Sequence, residues 1–281
     1  MKLGRFDIFP LLDGYFYLDG GAMFGVVPRA LWEKTNPPDE RNRIRLALGA
    51  LLVRAHEKNI LIDTGIGNKG DDKFTEIYAV ERRPTLEESM APFGVTPREV
   101  HLVINTHFHF DHAGGNTTRL QDGRTAPSFP NGEYYIQRDE WQSAISPNER
   151  TQRSYRPEDY EPLLKCGQLN LLDGAAEILP GIRVIKTPGH TEHHQSVIVQ
   201  SEGKTICFLG DLIPTRSHLP LPYIMAIDLF PLTTLETKRR LLDQAYEERW
   251  LLFFPHDPET RMGRLLRIDG KYRLDDVRSE E

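Results

Sequence analysis

Seven side chains of this chain have the types and order of a metal-binding plan. His107, His109, Asp111 and His112 fall within six positions, and His190, Asp211 and His256 follow far downstream. The local cluster reads Thr-His-Phe-His-Phe-Asp-His-Ala-Gly-Gly, directly after the apolar run Leu102-Val103-Ile104. Side chains of an extended chain alternate between faces, so a strand ending in His107-Phe-His109 sends both imidazoles to one side. Asp111 and His112 come from the turn after it and can face a second ion beside the first. Gly114 and Gly115 then let the backbone leave a crowded site. Imidazole and carboxylate donors suit borderline cations such as Zn²⁺, and a catalytic site keeps one position open for water.

Each downstream candidate closes an apolar, strand-like run: 182–185 before His190, 205–209 before Asp211 and 251–254 before His256. Loops at strand ends are where a scaffold presents functional groups. Apolar patterning predicts strands and helices in two similar batches. Early strands are expected over 6–12, 46–54, 59–63, 101–106 and 133–137, and later ones over 183–187, 195–200, 205–209 and 251–254. Helices are expected over 85–93, 138–145, 157–166 and 235–248, with another beginning after Gly115. Thr85 and Glu88 have capping-box spacing and Gly94 closes that helix. A terminal hairpin is expected around Asp269-Gly270, with residues 275–281 fraying beyond it.

Residues 13–45 read as a glycine-rich loop region that offers Met and aromatic side chains to a substrate. Met23 and Phe24 either wall the site or pack beneath that loop. His218 either reaches a substrate oxygen from the loop after Asp211 or is structural. His56 and His101 read as structural. The apolar segment 219–232, with Pro222-Tyr223-Ile224-Met225 at its centre, is either a homodimer contact or core. Gly65-Ile66-Gly67-Asn68-Lys69-Gly70 matches a dinucleotide-binding pattern, but no second parallel strand ending in an acid follows on schedule.

At 281 residues with 39% hydrophobic content, the chain can form one large domain, and no linker or repeat divides it, so a single domain over 1–281 is expected. A net charge of −6 argues against nucleic-acid or anionic-membrane partners. No apolar run approaches the ~18 residues of a membrane span, and the N-terminus lacks a signal peptide's apolar stretch, so a cytoplasmic protein is expected. Cys166 and Cys207 are too few for a disulfide framework, and Cys207 reads as a small buried residue.

His107-x-His109-x-Asp111-His112 after a strand resembles the signature of the metallo-β-lactamase superfamily of dinuclear hydrolases. Thr187-Pro188-Gly189-His190-Thr191, Gly210-Asp211 and Pro255-His256-Asp257 fall where that superfamily has its later ligands. The resemblance implies an αββα sandwich. It also implies His107, His109 and His190 on one metal, Asp111, His112 and His256 on the other, and Asp211 bridging. Two divalent cations are implied, Zn²⁺ in the first place, although Fe, Mn or Co tolerate the same donors. A hydroxide shared by the two metals would attack an acyl or phosphoryl centre, with Asp111 as ligand and proton guide. Asp63, in Asp63-Thr64-Gly65, would orient a ligand imidazole through its other ring nitrogen, or simply cap its turn. His193 and His194 would support the ligand loops from behind.

Several branches of the superfamily depart from this sequence. Secreted β-lactamases usually lack the bridging Asp and carry an export signal. The flavodiiron branch has Glu where this chain has His109. Glyoxalase II enzymes need a longer C-terminal domain, and nuclease branches an extra arm and a basic face. The resemblance is nearest to the quorum-quenching lactonases and related esterases, a reading supported by His194-Gln195-Ser196. Those lactonases place a Tyr three residues after the bridging Asp, where this chain has Pro214. A small-molecule ester or lactone is therefore the expected substrate. Alternatives are a phosphoester, organophosphate or thioester on the same centre, or a mononuclear iron oxygenase of the persulfide dioxygenase type.

Overall fold

A computed structural model describes residues 1–275. Two seven-stranded sheets form the framework. The first runs, in spatial order, Lys2–Leu3, Phe6–Asp19, Arg43–Ala55, Lys58–Ile62, Val100–Ile104, Glu133–Gln137 and Leu169–Leu172. The second runs Ala176–Leu179, Ile182–Lys186, Gln195–Ser201, Lys204–Phe208, Leu251–Phe253, Met262–Ile268 and Lys271–Asp275. Leu51 and Val53 turn inward with Ile60, Ile62 and Ile104 to meet Val184, Val199, Ile206 and Phe208 of the other sheet. The alternate residues Ala50 and Leu52 face outward onto Leu86 and Met90. On the far side, Cys207 and Leu209 lie under Leu241, Leu242 and Ala245 of the helix Pro231–Glu247. Strands covered on both faces read as near-continuous apolar runs, as 46–53 does. The result is the expected αββα sandwich.

Parallel pairing places the ligand loops. Lys58–Ile62 pairs in parallel with Val100–Ile104, Ile62 opposite Ile104, so Asp63 and the His107 loop leave from one edge. Lys204–Phe208 pairs in parallel with Leu251–Phe253, Phe208 opposite Phe253. Asp211 and His256 therefore each lie three residues past paired positions. Parallel strands share their carboxyl ends, and groups beyond those ends converge.

The helix Leu86–Met90 carries the capping box of Thr85 and Glu88, and a further turn, Ala91–Phe93, ends at left-handed Gly94. Arg138–Ile145 is helical over the expected residues, and the hairpin Met262–Ile268 with Lys271–Asp275 forms as read.

Four expectations are corrected. Residues 13–45 are not mainly loop. The strand Phe6–Asp19 continues through Tyr15-Phe16-Tyr17, because Phe16 is buried and the segment pairs with Arg43–Ala55. Asp19 caps the short helix Gly20–Phe24, and a second helix, Arg29–Trp32, follows. The metal-motif strand stops at Ile104, so His107 and His109 lie in the loop beyond it, while Asp111 and His112 sit on the single helical turn Phe110–Ala113. No long helix follows Gly115; Gly114–Asn116 is one tight turn before the strand Thr117–Arg119. Asp275 belongs to the last strand, paired with Arg264, and the rest of the tail expected to fray lies outside the described residues. Among the described residues, no helix is long and apolar enough to cross a membrane.

Candidate metal centre

All seven candidate ligands are brought together. His107, His109 and His190 form one group of donor atoms, and Asp111, His112, Asp211 and His256 form a second; within each group the donors lie within 4.8 Å of one another. Asp211 reaches both groups. Its Oδ1 lies 3.1 Å from Nε2 of His112 and 3.1 Å from Nε2 of His256, and its Oδ2 lies 3.3 Å from Nε2 of His190.

The remaining ring nitrogens are tied down individually. His112 Nδ1 lies 2.8 Å from Asp63 Oδ2 and His190 Nδ1 lies 2.9 Å from Asp228 Oδ1. His256 Nδ1 lies 2.8 Å from the carbonyl oxygen of Ala47. A carbonyl only accepts, so this Nδ1 carries the proton and Nε2 presents a lone pair. The Asp63 carboxylate likewise accepts the proton on Nδ1 of His112. Nε2 of His112 and Nε2 of His256 lie 3.0 Å apart. His190 Nε2 likewise faces His109 Nδ1 at 3.0 Å. His107 Nε2 is buried without a hydrogen-bond partner. Imidazole and carboxylate donors converge here, with His107 Nε2 left without a partner, so the donor set fits bound metal ions.

The electrostatics agree. Burial pushes the His112 imidazole down, but Asp211, Asp111 and Asp63 override it and hold it well above the usual histidine range. Burial also lowers His190, against which Asp211 and Asp228 raise it. His107 and His109 are held well below that range by burial and by neighbouring imidazoles. Burial raises the Asp211 carboxyl, yet His112, His256 and His190 bring it well below the usual carboxylate range. The acids create a site that favours positive charge.

The family model of the metallo-beta-lactamase superfamily matches residues 50–256. The chain belongs to that superfamily. An N-acyl homoserine lactonase of Bacillus cereus is 27% identical over 237 residues, covering 79% of this chain and 86% of the lactonase. A probable metal-dependent hydrolase from Staphylococcus aureus superposes with a TM-score of 0.89 at 31% identity, covering 99% of both chains. AidC, a dizinc quorum-quenching lactonase in complex with a product, has a TM-score of 0.81 at 21% identity, covering 98% of this chain and 95% of AidC.

The candidate ligands rest on supports that their sequence spacing only partly reveals. Asp63, at φ 55°, accepts from Thr106 N and Thr106 Oγ1 as well as from His112. It both shapes the loop and orients the imidazole. His194 donates from Nδ1 to the carbonyl of Thr187 and accepts the Asp211 amide proton at Nε2, 3.0 Å away. Burial holds its pKa near 3, so it remains neutral. Gly210, at φ 56°, passes so close to His194 that a Cβ would lie 2.4 Å from Nε2. His193 is half-buried near Asp139 and Glu192.

Asp228 and Glu140 were missed. Asp228 follows the apolar segment 219–227 with no local motif to mark it. Buried Glu140 accepts from Phe108 N, Tyr155 Oη and Thr191 Oγ1, cross-linking the His107 and His190 loops. A buried acid inside a helical pattern was the available signal.

Above the ligands lies a cavity of about 310 Å³, whose lining includes Met23, Tyr78, Phe110, Asp111, Arg150 and Leu229. Met23 therefore faces the site. Phe24 and His218 do not line the cavity. Phe24 stacks between Trp32 and His218, and His218 bridges Thr215 Oγ1 and the Met23 carbonyl. They hold the Met23 wall from behind, and His218 is buried, which corrects its reading as a substrate contact. The segment 219–232 also lines the cavity through Ala226, Ile227 and Leu229, with Ala226 N donating to the Ala22 carbonyl and Leu229 N to the His190 carbonyl. Pro214 is buried, and its carbonyl accepts from His256 N. Ile66 N and Gly67 N of the glycine-rich loop both donate to Asp13 Oδ2, so the amides that would cradle a phosphate are taken.

Proposed function

We propose that this metallo-hydrolase cleaves an ester-type acyl bond, in a lactone or a compact open-chain ester. The observation that carries the reading is the Asp211 carboxylate set between two histidine groups at the floor of a largely apolar cavity. His107, His109 and His190 would hold one divalent cation, Asp111, His112 and His256 the other, and Asp211 would bridge. Such cations, Zn²⁺ in the first place, lower the pKa of bound water towards neutrality and polarise an acyl oxygen. Asp63, Asp228 and the Ala47 carbonyl fix the imidazoles so that the donor atoms point inward before any cation arrives. Asp111, whose Oδ2 lies 3.4 Å from His256 Nε2, would guide a proton leaving the attacking water. Met23, Phe110 and Leu229 exclude bulk water and pack against the acyl part.

The relatives named as N-acyl homoserine lactonases support a lactone, while buried Pro214 removes the tyrosine that the resemblance led us to expect there. A cavity near the lower end of the ~300–1,000 Å³ range for ligand sites favours short acyl groups. The test is proton release by Zn²⁺-loaded protein from homoserine lactones of increasing chain length and from aryl esters, with His109→Ala as the blank. Turnover with kcat/KM above about 10⁴ M⁻¹s⁻¹ on a short-chain lactone or ester supports the assignment. Cleavage of phosphotriesters alone would move it to phosphoryl transfer.

A further inference from the structure

The cavity over the metal centre carries a cation at its mouth. Leu18, Met23, Phe110, Ile227 and Leu229 make its sides apolar, and Arg150 stands among them on the segment that also contributes Thr151 and Ser154. Nη2 of Arg150 donates at 3.2 Å to the carbonyl of Ala226, a lining residue of another segment, so the side chain spans two walls. Among the described residues, neither Arg150 nor Arg153 has a carboxylate partner. Burial and the charge of Asp111 raise the pKa of Tyr78, which lines the same cavity, against a smaller pull from Arg156 and Arg153. Among the residues lining the cavity, Arg150 is the one lysine or arginine.

A guanidinium presents five N–H donors in a planar fork that matches a carboxylate, and one of those of Arg150 is used. We propose that Arg150 selects acyl substrates bearing a carboxylate at the end remote from the scissile bond. The inference rests on the hydrolytic reading of the same cavity. In the reaction, water adds across the acyl C–O bond. The acyl carbon takes the hydroxyl, the departing oxygen takes a proton, and the new acid releases its proton to solvent at neutral pH. Arg150 neither gains nor loses a proton. An open-chain substrate of this class leaves as a dicarboxylate and an alcohol.

Two measurements test this on Zn²⁺-loaded protein. The first compares kcat/KM for mono-p-nitrophenyl esters of succinate, glutarate and adipate with that for their methyl esters, in wild type, Arg150→Gln and Arg150→Lys. At one chain length at least, wild type should prefer the free acid by about tenfold or more, the low end for a hydrogen bond to a charged group. Arg150→Gln should abolish that preference and Arg150→Lys retain part of it. The second is calorimetric binding of the matching dicarboxylates and their monomethyl esters, where the same preference should appear and disappear. An equal loss on acid and methyl ester would make Arg150 only a brace between the walls and overturn the inference. So would a preference that survives in Arg150→Gln. Preferential binding of dicarboxylate without turnover of any ester would instead sink the hydrolytic reading and leave the role of Arg150 standing.

Discussion

Replacing Asp228 with alanine removes the acceptor that orients His190. The Asp228 carboxylate lies 2.9 Å from His190 Nδ1, is buried, and fixes the tautomer in which Nε2 presents its lone pair towards His109 and Asp211. Without it, the ring can rotate, and the proton can move to Nε2, the atom needed for a metal. Loss of such a carboxylate partner costs roughly 10–100-fold in metal affinity, or about 1.4–2.7 kcal/mol. The loss should fall on the His107–His109–His190 group. His112 and His256 keep their own supports on Asp63 and Ala47. Asp228→Asn preserves an acceptor oxygen and loses only the charge, so it should lie between alanine and wild type. Competition between the protein and a chromophoric chelator for Zn²⁺ resolves the affinities, with circular dichroism confirming that the fold survives. Wild-type affinity in Asp228→Ala would refute the argument that the carboxylate prepares the imidazole. So would an equal weakening of both metal positions.

Three further outcomes follow from buried groups. Burial holds Asp13 at about 6, against backbone amides of Gly67, Leu86 and Ile66 that pull it down. Such a carboxyl takes up a proton on folding, so its contribution to stability falls as pH rises from about 4 to about 6, by on the order of 3 kcal/mol. Urea unfolding of the metal-free protein should show that slope, and Asp13→Asn should flatten it. Lys69 donates to the carbonyls of Gly114 and Thr117 and pairs with Asp159 at 3.1 Å, both ions buried. Lys69→Met strands a buried charge and should cost about 3–5 kcal/mol in denaturant unfolding. A Cβ on Gly49 would come within 2.5 Å of the Pro255 carbonyl oxygen, just before His256. Gly49→Ala should therefore cost about 1–3 kcal/mol in thermal unfolding and weaken Zn²⁺ binding at the second position. Unchanged metal affinity would show that the His256 loop absorbs the clash.

Much of this architecture was legible because it rests on short patterns. His107 to His112 declare themselves by spacing, and the capping box at Thr85 and the Asp269-Gly270 turn act within a few residues. The run 46–53 reads as a strand because both of its faces are buried. What was hidden depends on distant partners. Tyr15-Phe16-Tyr17 looked like loop beside Gly20 and Gly21, yet pairing with Arg43–Ala55 makes it strand. Asp228 gains its role only when the segment 225–229 folds over His190. Glu140 looked like one polar position of a helix, and only the tertiary fold brings three donors to it. His218 looked available because it follows Asp211 closely in sequence. The chain instead turns it towards Met23 and away from the cavity.

The central claim is a two-cation centre that hydrolyses an acyl bond. Metal-free protein titrated with Zn²⁺, with proton release from an aryl ester or short-chain lactone followed at each addition, tests it most directly. Activity that rises to its maximum only as the second equivalent binds, and is absent in His109→Ala, is the predicted result. Activity complete at one equivalent would contradict it. So would oxygen uptake on a single iron with no hydrolysis under any metal.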